Sequence, residues 1–264
     1  MGAVELSAYL LTGLLAGLLA GLLGLGGGVV VVPSLIVLFG HLGFAHDWIP
    51  HLAVGTSLAT IIGTGSASVV AHHRRGAVRW DLFLRLAPWI VIGAWIGSAI
   101  AGLLTQGWLQ RIFGIFLLYV GLRMLWQPAT RETGGRRSRA GLALAGTGIG
   151  TLSSLVGIGG GTMTVPFLHR TGLDMRRAVA TAAACGLPIA ISGAIGFLIV
   201  GWGRAGLPAG STGFVYWPAV GVILLASVPA APVGARLAHT LPVAILKRIF
   251  GVLLLIVAVK LLLG

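Results

Sequence analysis

Long apolar stretches recur along this chain and set its fold class. The clearest are Leu82–Leu104, Ile112–Trp126, Ala178–Val200, Trp217–Leu237 and Ile245–Leu263. A helix needs about 20 apolar residues to cross a hydrocarbon core. A closed β-barrel would instead show short alternating segments, and none is present. Composition agrees: 57% of the 264 residues are hydrophobic and only 9% are charged, well below the roughly 25% of a soluble domain. The chain is read as an all-α integral membrane protein.

Charge and cysteine content exclude other classes. The formal net charge is +13, but the arginines sit in short loops between apolar stretches, which speaks against nucleic acid and for topology, since basic loops stay in the cytoplasm. The single Cys185 excludes an internal disulfide. Met1-Gly-Ala-Val-Glu5 lacks a basic start, so the first apolar stretch is expected to be retained. Leu6 stands where an N-myristoylation signal requires Ser or Thr.

The chain repeats itself. Gly21-Leu-Leu-Gly-Leu-Gly-Gly-Gly28, running on to Pro33 and Leu35, matches Ser154-Leu-Val-Gly-Ile-Gly-Gly-Gly161, running on to Pro166 and Leu168. Ala53-Val-Gly-Thr56-Ser57 parallels Ala178-Val-Ala-Thr181-Ala182, and Arg111-Ile-Phe-Gly114 recurs as Arg248-Ile-Phe-Gly251. One transmembrane domain is expected, built from a first repeat over 1–127, a basic cytoplasmic linker over 128–139 and a second repeat over 140–264.

Each half opens on a segment broken by glycines. A continuous helix over Leu6–Phe39 would be about 50 Å long, too long for one crossing. If each broken segment crosses once, the eighteen basic residues divide eleven to seven between the two sides. If each dips in and returns, every basic residue except Arg111, Arg204 and Lys260 collects on one side, fifteen to three. The positive-inside rule favours the second arrangement. Each half then has a re-entrant hairpin and three crossings, the halves are inverted, and both termini face outward.

Irregular backbone at membrane depth must be buried in protein or line a cavity. Entering from opposite faces, Gly24–Gly28 and Gly157–Gly161 would meet near the midplane. Short helices are expected from about Val29 and Thr162, and their N-termini suit an anion. Gly13, Gly17, Gly21, Gly93 and Gly97 read instead as helix-packing positions. Thr56, Thr60 and Thr64 share a helix face; through the repeat, Thr56 and Thr60 fall on Thr181 and Cys185, and Ser57 on Ala182. These hydroxyls have two readings, donors to an anion or partners of their own backbone carbonyls.

No carboxylate falls mid-membrane: Glu5, Asp47, Asp81, Glu132 and Asp174 all lie near helix ends or loops, which leaves no obvious proton or sodium relay. The histidines also lie near helix ends and read as interfacial, and none has convincing metal-ligand spacing. Trp48, Trp80, Trp108, Trp126, Trp202, Trp217 and Tyr216 read as interfacial anchors. Enzyme motifs fail: Val29 replaces the third glycine of a dinucleotide fingerprint, no Gly-Lys-Ser/Thr is present, and Ser66 has no histidine within a comparable helix interior. No cofactor or metal is expected.

The two Gly-x-Gly-Gly-Gly-x-x-x-x-Pro segments, Gly24 to Pro33 and Gly157 to Pro166, together with Ala53-Val-Gly-Thr-Ser57, resemble the TauE/SafE sulfite-exporter family of membrane permeases over essentially the whole chain. The resemblance implies transport of small sulfur-containing anions, such as sulfite or organosulfonates, across a bacterial inner membrane, with export the expected direction. It implies substrate-near positions at Gly26, Gly27, Gly28, Thr56, Ser57, Gly159, Gly160, Gly161 and Thr181; Thr60 joins them from its place on the hydroxyl face. Ala182 departs from the pattern where a serine parallel to Ser57 is expected. An anion channel, an uptake permease and a non-transporting scaffold stay open beside this reading, and a homodimer is compatible with it.

Overall fold

The computed structural model describes residues 2–23, 27–126, 138–237 and 243–263. Ten α-helices lie among them, with a short 3-10 turn at His46–Trp48. The first half contributes α1 (Ala3–Leu23), α2 (Gly28–His41), α3 (Ile49–His73), α4 (Trp80–Leu103) and α5 (Gln106–Trp126). The second contributes α6 (Arg139–Val156), α7 (Gly161–Arg170), α8 (Met175–Val200), α9 (Trp217–Leu237) and α10 (Val243–Leu263). A two-stranded antiparallel hairpin, β1 (Ser211–Thr212) and β2 (Val215–Tyr216), leads into α9. Six of the described helices are long and apolar enough to cross a membrane: α1, α3, α4, α5, α8 and α9. Leu84, Ile115, Leu225 and Ile256 stand exposed on the outside of the bundle, as a lipid-facing surface requires.

Glycine sets how the helices pair. Without a Cβ, two backbones approach closely. Gly13, Gly17 and Gly21 of α1 lie against Ile223, Ser227 and Ala231 of α9, so these helices run in the same direction. Gly93 and Gly97 of α4 lie in the same way against Thr147 and Thr151 of α6. The pairs correspond: the first helix of each half packs on the fourth helix of the other. α5 and α10 run antiparallel, Gly114 beside Leu262 and Gly121 beside Leu255. α3 and α8 cross the middle antiparallel, with Gly55 beside Phe197 and Gly193 beside Leu58, and are the most enclosed of the six long helices.

These pairings fix the path. α1 and α9 start on one face of the bundle. α1 ends beside the end of α3, where His72 Nε2 lies 3.2 Å from the Gly21 carbonyl oxygen. α2 then returns toward the starting face, where Phe39 meets the Tyr216 ring edge-on at 5.7 Å. The α1–α2 hairpin is lopsided: its first arm, 21 residues long, reaches as deep as α3, rather than only dipping in, while its second has 14 residues. α6 starts on the opposite face, running with α4, and α7 returns to that face at the turn before α8. Arg111, Arg204 and Lys260 lie toward the starting face; Arg74, Arg75, Arg79, Arg139, Arg170, Arg176, Arg177 and Arg236 lie toward the other.

Candidate functional site

The two glycine segments fold into the same turn twice. Gly27 precedes α2 with φ 75° and ψ −16°; Gly160 precedes α7 with φ 72° and ψ −12°. Both are left-handed, a conformation open to glycine at little cost. Each carbonyl starts its helix: Gly27 O accepts from Val30 and Val31 N–H at 3.0 and 3.2 Å, and Gly160 O from Met163 and Thr164 N–H at 3.0 and 2.8 Å. α2 and α7 begin at Gly28 and Gly161, one residue earlier than expected.

The loops touch. A Cβ on Gly28 would run into the Gly157 carbonyl oxygen and lie 3.0 Å from Ile158 Cα. Gly157, itself left-handed at φ 77°, packs on Val32 and Val54. Glycine at 28 thus serves the contact between loops as well as any approach of a ligand. Gly159 is overlaid by α8, where a Cβ on Gly186 would lie 2.6 Å from its carbonyl oxygen. Gly161 is buried at the start of α7. Gly26 lies outside the described residues.

The hydroxyls divide by place. Ser57 Oγ donates to the Gly157 carbonyl at 2.8 Å, tying α3 to the second loop. Thr60 donates to the Ser57 carbonyl at 2.7 Å, and Thr64 pairs with Ser227 of α9 at 2.7 Å. The hydroxyls of Thr56 and Thr181 bond to connections of the other half and not to a glycine loop. Thr56 Oγ1 accepts from Tyr216 N–H at 3.0 Å; Thr181 Oγ1 accepts from Arg79 N–H at 3.0 Å. Tyr216 and Arg79 are the residues just before α9 and α4, so each threonine holds the matching connection of the other half.

The 201–216 connection adds a feature of one half only. Its hairpin buries Phe214 against Trp48, His51 and Phe197, at ring distances of 5.2, 5.0 and 6.5 Å. Burial pushes the Tyr216 phenol up, and the Glu5 carboxylate adds to it. His51, expected at an interface, is almost fully buried, its Nε2 3.0 Å from the Ala101 carbonyl oxygen. Trp48 is half-buried in the same cluster.

One group of polar side chains was not marked by the sequence reading. Ser153, Ser154, Thr162 and Thr164 are buried, and their hydroxyls have no hydrogen-bond partner among the described residues. The signal was present as Thr162-Met-Thr164 after the second glycine run, where the first has Val29-Val-Val31. No group of three or more metal-ligating side chains lies among the described residues. What the centre offers is neutral donors and two helix N-termini, with no fixed charge on α3 between its ends. That chemistry suits transient binding of an anion.

A family model described as sulfite exporter TauE/SafE matches residues 9–261. A probable membrane transporter protein of Haemophilus influenzae is 36% identical over 252 residues, covering 95% of this chain and 96% of the relative. The probable membrane transporter protein YunE of Bacillus subtilis is 28% identical over 217 residues, covering 73% of this chain and 78% of the relative. The longer probable membrane transporter protein MamO of Magnetospirillum gryphiswaldense is 27% identical; the match covers 90% of this chain and 42% of that protein. No solved structure matches the chain.

Proposed function

Because the chain belongs to the TauE/SafE sulfite-exporter family and is a multi-pass membrane transporter, we propose that it exports small sulfur-containing anions, such as sulfite or an organosulfonate. The observation that carries this reading is the meeting of two left-handed glycine turns, each opening a short helix, at Gly28 and Gly157. In this reading the anion sits beside that junction, held by the backbone N–H groups of Gly27, Gly28 and Gly161 at the starts of α2 and α7, with Ser57 and Thr60 alongside; Gly160 N–H is taken by the Ile158 carbonyl at 2.8 Å and shapes the turn instead. Each helix terminus contributes about 0.3–2 kcal/mol, enough for binding and weak enough for release. Thr56 and Thr181 fasten the connections that close either side.

The opposed chain directions of the two halves support an inverted-repeat carrier that opens to one side at a time. The basic face is the cytoplasmic one and the termini lie outside a bacterial inner membrane. A homodimer is the assembly this reading keeps. Transport is tested with purified protein in liposomes. Saturable sulfite flux with counterflow is expected, and Gly160→Ala should abolish most of it. Flux that neither saturates nor shows counterflow makes the protein a channel, and absence of flux removes the reading.

A further inference from the structure

The repeat is symmetric in its backbone and asymmetric in its side chains at the glycine loops. Ser153 Oγ and Thr164 Oγ1 each lie 3.4 Å from the position a Cβ would take on Gly160. Both residues are fully buried, and neither hydroxyl has a partner among the described residues. Tyr9, Ser154, Thr162 and Ser211 also have buried unpartnered hydroxyls among the described residues, but only Ser153 and Thr164 converge on one glycine. Thr60, Thr64, Ser66, Ser98 and Thr171 each donate to a carbonyl three or four residues back, the ordinary resort of a helical hydroxyl. Leaving a buried hydroxyl unpaired is costly, so two that converge on one glycine mark a place where a ligand completes the bonding. Thr162, also unpaired, lies on the same first turn of α7. Ser154 faces Gly193 of α8 and is not part of the group. The nearest atom over Gly160 is Ile189 Cδ1, the end of a fully buried side chain that must shift for a ligand to enter.

At the first loop the matching positions are Ala20, Val29 and Val31, and no hydroxyl is available there. We propose that the second loop alone holds the charged head of the anion, in a socket formed by the Ser153 and Thr164 hydroxyls with the start of α7, and that this socket takes a singly charged oxyanion head and rejects a doubly charged one. The proposal rests on the reading that an anion binds at the glycine loops. The charge preference follows from the absence of a cation. The surrounding α3, α6, α7 and α8 carry Arg only at Arg139, Arg170, Arg176 and Arg177, in first or last turns, and carry no Lys. The cost of dehydrating an ion rises with the square of its charge, whereas attraction to neutral dipoles rises only in proportion to it. A socket of hydroxyls and one helix terminus offsets one charge far better than two. A sulfonate head, with three oxygens sharing one charge, fits that description.

The test uses the full chain in liposomes and radiolabelled methanesulfonate. Wild type should show saturable uptake, and sulfate at about hundredfold excess should leave it largely unchanged. Ser153→Ala and Thr164→Val should each raise the half-saturating concentration about tenfold or more. Thr164→Ser, which keeps the hydroxyl, should stay close to wild type, as should Ser66→Ala, outside the site. If Ser153→Ala fails to fold, the Val and Ser variants at 164 carry the comparison alone. Unchanged half-saturation in the hydroxyl variants, with saturable uptake by wild type, overturns the socket and leaves the glycine-loop site standing. Sulfate competing as well as unlabelled methanesulfonate overturns the charge preference. A wild type that carries sulfite saturably but not methanesulfonate overturns the socket alone; no saturable flux of either anion overturns both the socket and the site.

Discussion

At the scale of single residues, the glycines separate into those that need a left-handed backbone, those that need contact and those that need neither. Gly27 and Gly160 sit at φ 75° and 72°; alanine there costs about 1–2 kcal/mol, and at Gly27 it also meets the Ala16 carbonyl at 2.7 Å. Gly28 instead faces the other loop's backbone. Gly148 has nothing within 4 Å of its open side. Gly27→Ala, Gly28→Ala and Gly160→Ala should therefore lose both thermal stability in detergent and flux. Gly148→Ala should keep full flux and melt no lower than wild type, since alanine favours a helix by about 1 kcal/mol. Asp47→Asn and Asp174→Asn should retain most flux at fixed pH. Asp174 caps α8 through Arg177 N–H at 3.3 Å, and its loss should cost about 1 kcal/mol of stability. The importance of the glycine runs was legible in the sequence because they break a helix twice at matching places. The Ser153 and Thr164 pair was not, because a helical serine or threonine reads alike whether its hydroxyl is paired or free.

Among the elements, the matched threonines give the connections a mechanical role. Thr56→Val removes the acceptor of Tyr216 N–H and should cost about 1 kcal/mol, visible as faster hydrogen exchange at Tyr216. Phe214→Ala, in a fully buried aromatic position, should cost about 3–5 kcal/mol and loosen the hairpin over the starting face. With Cys185→Ser as background, a cysteine at Thr56 should then react with a water-soluble thiol reagent faster than it does with Phe214 in place. Equal rates would mean the hairpin does not seal that end. Most of the long helices were legible from apolar length alone; α3 was not among the apolar stretches, because Thr56, Ser57, Thr60 and Thr64 interrupt its hydrophobic run. The hairpin was not: Ser211 to Tyr216 is too short for periodicity, and only Gly210 and Gly213 signalled its turns. α1 also exceeded its reading, because Gly13, Gly17 and Gly21 look the same in sequence whether they serve half a crossing or a whole one.

Across the whole molecule, sidedness and interlocking make two further predictions. In the Cys185→Ser background, Ala45→Cys should label with an impermeant thiol reagent in intact cells, and Met175→Cys only after permeabilisation. Labelling of both from outside would overturn the proposed orientation. Fragments 1–127 and 140–264, produced together, should co-purify and transport, whereas each alone should not yield a stable monodisperse protein, because α1 packs on α9 and α6 on α4. The crosswise packing also imposes a schedule on synthesis. α1 emerges early, yet the helix that covers its glycine stripe begins only at Trp217. At about 5–20 residues per second, that stripe waits on the order of ten seconds or more, facing lipid or an insertion factor. The fold thus cannot mature from its beginning onward, and a ribosome that stalls before α9 leaves a half-built helix face for quality control to find.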